Sequence, residues 1–360
     1  MTVADLLEAV RADGLLTPGR PVVVMYSGGR DSTCLLDLAI RIAGTPAVTA
    51  LHVNYGLREA ATADERHCAG VCEELGVALE IRRPRRAHAP GSGNVQAAGS
   101  GNVQAPGSGN VQAPGSGNVQ APGSGNVQAP GSGNVQAWAR DQRYAAAAEL
   151  AEACAGDVAA GHTSTDQVET ILYRLASSPS RRALLGMRVR DGRLIRPLLM
   201  VTRADTADHC RARGLSWRED ESNDSDVYAR SRIRHGLVPA LEAAHPAAQA
   251  NVLAVAEVLR QEAAVLDELV DEILAGRCEI SLARLRSLSP ALRRLVVQRL
   301  ADEAAGRPAA GVARRADEVA AMPGRGSSAL DLPAGVRASA RDGVVRFGRT
   351  PHASAYTAAS

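Results

Sequence analysis

The run PVVVMY at residues 21–26, followed at once by Ser27-Gly28-Gly29-Arg30-Asp31-Ser32, constrains the fold more than any other feature of the chain. A short β-branched run reads as a buried strand. Apolar periodicity from 33 to 42 then predicts a helix. A strand that enters a helix through two glycines is the first half of a βα unit. The pattern continues with a strand at 47–53, a helix at 59–75 and a strand at 78–83. It resumes with a helix at 137–154, a strand at 158–161 and a helix at 165–176. Such alternation predicts an α/β fold, a parallel sheet covered on both faces. Ligands in such sheets bind beyond the carboxyl ends of the strands, where the two glycines lie.

What interrupts the pattern is a repeat. The octapeptide A-P-G-S-G-N-V-Q runs six times over residues 89–136, with Ala98 in place of proline in the second copy. Each unit has one apolar side chain larger than alanine and no charge, too little to offset the entropy of ordering it. The expectation is a flexible insertion with a coil span of about 35–40 Å. It splits the sheet domain in sequence without needing to split it in space. Beyond about residue 220, helical spacing of Leu, Val and Ala at 247–275 and 291–305 predicts a smaller, mainly helical domain. A Gly/Pro/Ser-rich turn at 323–328 precedes strand-like runs such as 344–347. The expected organisation is a sheet domain at 1–220 interrupted at 89–136, a second domain at 221–349 and a loose tail at 350–360. Loop-closure entropy grows by only about 0.6 kcal/mol per doubling of length. Deleting five repeats, with Gly133–Gln136 kept joined to Ala137, should raise the thermal midpoint by a few degrees at most. Turnover should stay within a few-fold. Thermal unfolding and assay of the shortened chain check both.

No lysine occurs, so all 41 basic Lys/Arg positions are arginine. This excludes a Walker A loop, a Schiff base and a covalent lysyl-nucleotide. Fourteen of the arginines fall between Arg174 and Arg234. Charge alone leaves two readings open: a solvated arginine-rich surface, or one that faces nucleic-acid phosphates. The six cysteines contain no C-x-x-C, which argues against zinc ribbons and redox pairs and suits a reducing cytoplasm. No apolar run reaches the about 18 residues of a membrane span. The start, MTVADLLEAV, lacks a basic region ahead of an apolar stretch, so no secretory leader is expected. Oligomeric state is not legible.

The loop itself carries chemistry. Two glycines let the backbone approach a ligand closely and adopt positive φ. The helix that follows offers free N–H groups and the positive end of its dipole to an anion. Ser27 and Ser32 add hydroxyls. Asp31 among phosphate-binding groups suggests a magnesium ion between carboxylate and phosphate.

SGGRDS resembles the S-G-G-x-D-S loop of the PP-loop ATP pyrophosphatases, which have an adenine nucleotide alpha hydrolase-like fold and cleave ATP to AMP and pyrophosphate. Further segments resemble one family among them, the tRNA(Ile)-lysidine synthetases, in that family's order. These are Leu51–Arg58 (L-H-V-N-Y-G-L-R, with Tyr55 where histidine is usual), Gly133–Tyr144 (G-N-V-Q-A-W-A-R-D-Q-R-Y) and Gly161–Thr170 (G-H-T-S-T-D-Q-V-E-T). Arg196-Pro197-Leu198-Leu199, Asp220–Asn223 (D-E-S-N) and Arg230–Arg234 (R-S-R-I-R) complete the set. The likeness covers about 20–240, the repeats excepted. Thr165, Ser178-Pro179-Ser180 and Ser231 depart from the family pattern.

The resemblance implies an ATP-dependent ligation of free L-lysine to the wobble cytidine of tRNA(Ile) with a CAU anticodon, through an adenylated cytidine. Ser27, Gly28, Gly29, Arg30, Asp31 and Ser32 would hold ATP, with His52 and His162 nearby and magnesium on Asp31. Arg140 and Arg143, three apart on one helix face, would stabilise charge at the α-phosphate; they could equally pair with surface carboxylates. Asp166 and Glu169 share a face at a helix start. They would hold the lysine amine and take its proton, although N-terminal capping alone also favours carboxylates there. Arg58, Arg181, Arg182, Arg230, Arg232 and Arg234 would grip tRNA phosphates. A thiolase of the same superfamily and an RNA-binding protein without catalysis are the rival readings.

Overall fold

The computed structural model describes residues 1–56, 61–84, 135–178, 181–219 and 229–351, with the side chains of 136, 229 and 230 left out. The repeat, Arg58, the D-E-S-N segment and the tail therefore lie outside the described residues, save for the last repeat residues at the start of a helix. Two compact units are present, one running to Glu257 and one from Val258 onward.

The first unit is built on a six-stranded sheet in the order β3-β2-β1-β4-β6-β5. The strands are β1 (Val22–Met25), β2 (Val48–Val53), β3 (Ala78–Arg82), β4 (Asp157–Ala159), β5 (Arg190–Asp191) and β6 (Leu194–Ile195). All neighbours run parallel except the edge strand β5, which is antiparallel to β6. That hairpin turns through Gly192 at φ +60, and it adds an antiparallel edge to the parallel sheet expected. The helices are α1 (Val3–Ala12), α2 (Arg30–Ala43), α3 (Ala61–Glu74), α4 (Val135–Ala153), α5 (Ser164–Ser177), α6 (Arg181–Leu184), α7 (Arg203–Ala212), α8 (Ala229–Arg232) and α9 (Val238–Ala244).

The period of two in β1 explains how both sheet faces are filled. Val22 and Val24 enter one core with Leu35, Leu38 and Ile42 of α2, Cys68 and Val71 of α3 and Cys210 of α7. Val23 and Met25 enter the other with Leu51, Val158 and Ala147 and Ala151 of α4. All four β1 residues are buried, as a central strand under helices on both sides requires. At the amino end of β4, buried Asp157 is neutralised by Arg20 at 2.9 Å and Arg190 at 3.0 Å.

The strand order changes direction at β1, which pairs with β2 on one side and β4 on the other. That is the topological switch point where such sheets bind ligands. The loops leaving β1 and β4 emerge there side by side.

The second unit has its own core, around Val296, Val297 and Leu300 of α12 (Pro290–Ala305). The 27-residue α10 (Ala248–Leu274) starts in the first unit and ends in the second. The short α11 (Leu282–Ser287) and α13 (Ala316–Ala320) complete the helices. An antiparallel sheet, β7-β10-β9-β8, accompanies them. Its strands are β7 (Glu279–Ser281), β8 (Ser327–Leu332), β9 (Val336–Arg341) and β10 (Val344–Arg349). The unit is helical in the main, as expected, with a fuller sheet than its one clear strand-like run suggested. No helix among the described residues is long and apolar enough to cross a membrane.

Candidate active site

The loop after β1 is shaped by Gly28 and by two serines. Gly28 has φ +80, and a Cβ there would sit 2.9 Å from Cys68 Sγ, so both conformation and space demand glycine. Ser27 Oγ lies 3.1 Å from Ser32 Oγ, and Gly29 N–H donates to Ser27 Oγ at 3.3 Å. Ser32 Oγ–H donates to the Gly29 carbonyl at 2.8 Å. Gly29 is the N-cap of α2 and makes no side-chain cap. Helix α2 begins at Arg30, three residues before the expected start, so Arg30, Asp31 and Ser32 form its first turn. Their amides face the helix N-terminus, where an anion is favoured.

Asp31 is clamped from α7. Thr206 Oγ1–H donates to Asp31 Oδ1 at 2.6 Å, Arg203 Nε lies 3.3 Å from Oδ2, and Arg30 Nε lies 3.4 Å from Oδ1. Lower down, the same two helices are joined by Asp37, which accepts from His209 at 2.8 Å and Arg213 at 3.3 Å. Sequence reasoning missed α7. Its signature was available: Thr202 and Asp205 form a capping box, as do Thr163 with Asp166 and Thr2 with Asp5. We expect Thr206→Val, nearly isosteric, to slow pyrophosphate release about tenfold, the usual worth of one hydrogen bond to a charged group. The fold should be unchanged. Release kinetics measured beside a thermal melt check this.

Strand β4 delivers the second set of groups. Gly161 passes so close to the first loop that a Cβ on it would meet the Asp31 carbonyl at 3.2 Å. Thr163 then caps α5, and its N–H donates to Asp166 Oδ2 at 2.9 Å. One carboxylate oxygen of Asp166 is thus a helix cap. The other, Oδ1, faces Arg234 Nη2 at 3.5 Å. Glu169 is 0% exposed and accepts two bonds from Arg234, from Nε at 2.6 Å and Nη2 at 3.0 Å. A buried carboxylate requires such a partner. Burial lowers the Arg234 pKa, but Glu169 and Asp166 outweigh it and hold the guanidinium above its ordinary value.

Arg234 reaches these acids from a π-helical turn, Ile233–Leu237. Pro239 accounts for the turn. It has no N–H for the His235 carbonyl and crowds it, and Val238 N–H bonds instead to Ile233 O, five residues back. Ile233 and Val238 pack on Val168 and Leu172 of α5, which fixes Arg234 over the acids. Its guanidinium therefore engages carboxylates, a setting unlike the phosphate grip expected of it.

The other expected site residues are placed as follows. His52 is buried on β2, with Nδ1 3.1 Å from Tyr26 O and 3.3 Å from Cys68 Sγ, directly behind the first loop. His162 follows β4, half-buried. Arg140 and Arg143 flank the Tyr144 ring, at 5.0 and 5.9 Å from its centroid. Tyr55, the departure from the family pattern, meets Trp138 edge-on at 5.8 Å and donates to Ala139 O at 2.7 Å. It so anchors the turn of α4 that carries Arg140. Arg181 and Arg182 open the short α6, Arg182 and Arg232 are exposed, and Arg58 and the Arg230 side chain fall outside the described residues.

Comparison with known proteins agrees with this geometry. The family profile for the PP-loop domain matches residues 3–100 and 119–241. A solved structure similar in fold is the U34-tRNA thiolase NcsA from Methanococcus maripaludis with its [4Fe-4S] cluster. Its TM-score is 0.50 at 17% identity, over 72% of this chain and 78% of that one. Fold and loop thus define a PP-loop protein. Among curated proteins, a tRNA(Ile)-lysidine synthase from Symbiobacterium thermophilum is 32% identical over 95% of this chain and 68% of its own length. One from Pseudomonas fluorescens (strain Pf0-1) is 35% identical over 68% of this chain and 47% of its own length. The chain belongs to the tRNA(Ile)-lysidine synthase family. It spans about half the length of several of the curated relatives it matches, 47%, 58% and 52% for three Pseudomonas proteins.

Proposed function

We propose that this chain ligates free L-lysine to the wobble cytidine of tRNA(Ile) with a CAU anticodon, giving lysidine, AMP and pyrophosphate. One observation carries the reading: a phosphate-binding helix start and a buried carboxylate pair leave neighbouring strands, with Gly161 packed on the Asp31 backbone. Adenylation and amine attack need just such adjacent sites.

In the first step the cytosine 2-carbonyl oxygen attacks the α-phosphorus of ATP and pyrophosphate leaves. Ser27, Gly28, Gly29, Arg30 and Ser32, with the first amides of α2, hold the departing pyrophosphate. Arg140 and Arg143 stabilise charge at the α-phosphate. In the second step the lysine ε-nitrogen attacks C2 and loses a proton, and AMP leaves with the carbonyl oxygen. Asp166 and Glu169 attract the ammonium and take that proton, and Arg234 holds both acids in place. His52 braces the phosphate loop from behind, and His162 lies toward the base. Arg58, Arg181, Arg182, Arg230 and Arg232 engage tRNA phosphates.

Magnesium fits Asp31, since this ion is commonly held by one or two carboxylates plus substrate phosphates rather than by an all-protein cage. When bound, it would neutralise charge on the leaving pyrophosphate. Asp31 would exchange part of its contact with Arg203 and Arg30 for the ion.

Release of AMP from ATP tests the reading. It should require tRNA and rise with lysine. Release without lysine dependence, or none with tRNA(Ile), would contradict it.

A further inference from the structure

A group of arginines near α4 has no ion-pair partner among the described residues. Arg174 of α5 and Arg196, which directly follows β6, are both largely withdrawn from water, and Arg196 is only 7% exposed. Each spends one nitrogen on a carbonyl: Arg174 Nη1 donates to Gly186 O at 2.7 Å and Arg196 Nη1 to Arg188 O at 2.6 Å. Among the described residues, Arg140, Arg143, Arg174 and Arg196 make no ion pair with any carboxylate. Arg196 Nε, Arg143 Nε and the Tyr144 hydroxyl are buried without a hydrogen-bond partner. Native proteins rarely leave such donors unmet, and each one calls for an explanation.

The charges also sense one another. The Arg174 guanidinium lies below its ordinary pKa, first through burial and then through repulsion from Arg196 and Arg140. Arg196 is lowered likewise by burial, with Tyr144 and Asp191 opposing and Arg140 adding to the effect. A buried cationic cluster with open donors is a site short of an anion. It also lies on the ligand side of the sheet, because β6 runs parallel to β4 and Arg196 leaves its carboxyl end.

We propose that Arg174 and Arg196, with Arg140 and the Tyr144 hydroxyl, form a phosphate-binding subsite at the carboxyl end of β6. Open N–H and O–H donors and no acceptor partner select a multiply charged oxyanion with several lone pairs. The phosphate comes from the nucleotide or from the RNA backbone. The assignment rests on the proposed reaction only for the source of that phosphate, so binding without turnover tests it separately.

The experiment uses the full chain with Arg140→Gln, Arg174→Gln and Arg196→Gln. Each is titrated with a non-hydrolysable ATP analogue alone, and with a tRNA(Ile) transcript alone across a salt series. Thermal unfolding without ligand is recorded in parallel. We expect affinity for one probe to fall tenfold or more in all three variants. If the phosphate is the RNA's, the salt slope should also drop by about one. Arg140 is exposed on α4, so Arg140→Gln should keep the native melting midpoint. It remains informative should a buried variant misfold. Binding of both probes within twofold of the parent, in Arg140→Gln and in whichever buried variants fold, would overturn the proposal. So would a loss in Arg196→Gln alone that merely tracks a lower melting midpoint.

Discussion

Asp31→Ala should abolish both pyrophosphate and AMP production, with a loss of about 100- to 1,000-fold or more, the scale for removing one electrostatic element of a reacting phosphate site. Asp31 sits in the first turn of α2, where the proposed reaction has the loop amides gather phosphate. It is the carboxylate through which a magnesium ion would be shared with the nucleotide. The fold should survive. Its partners Arg30 and Arg203 are 24% and 32% exposed, so losing Asp31 leaves no deeply buried charge, and the helix-dipole contribution it removes is below about 1 kcal/mol. Pyrophosphate release at saturating ATP and tRNA, over a range of magnesium concentrations, reads the effect. Unchanged turnover at every magnesium level would contradict the role.

Asp166→Asn should separate the two chemical steps. The change is nearly isosteric, and asparagine caps helices about as well as aspartate. Its carbonyl oxygen can keep the bond from Thr163 N–H, and Arg234 keeps its two bonds to Glu169. The negative charge facing the amine is lost. Free lysine is mostly protonated at neutral pH, with an unperturbed pKa of about 10.4, so a group must attract the ammonium and then take its proton. Lysine incorporation should fall by roughly 100-fold or more, while pyrophosphate release changes only a few-fold. Adenylated tRNA, or slow AMP release by hydrolysis, should accumulate. Equal loss in both steps would assign Asp166 to ATP or cytidine and move the lysine site toward Glu169.

The sequence made the α/β unit legible because the β-branched run of β1 and the two glycines after it are local signals. The helix starts were harder to place. Arg30–Ser32 read as loop because glycines suggested it, yet the serine hydroxyls fold the turn back and let α2 begin at once. The Asp166/Glu169 pair was legible from spacing, and so was the capping: Asp166 accepts from Thr163 N–H with one oxygen, while the other faces Arg234. What could not be read was the cation itself. Arg234 lies 65 residues from its partner Glu169, and a long-range ion pair leaves no local signature. Thr206 is farther still, 175 residues from Asp31, though its helix announces itself through Thr202 and Asp205. Arg174 escaped for a related reason, since among 41 arginines nothing local marks it; Arg196 was legible only as the start of the R-P-L-L segment, and burial with an unmet donor is what sets it apart.

The most direct test of the account is nucleoside analysis of an unmodified tRNA(Ile) transcript with a CAU anticodon after incubation with this protein, ATP, magnesium and lysine. The account predicts that the wobble cytidine is replaced by a nucleoside heavier by one lysine less one water, only when both ATP and lysine are present. An unaltered cytidine, or a sulfur-containing nucleoside in its place, would contradict it.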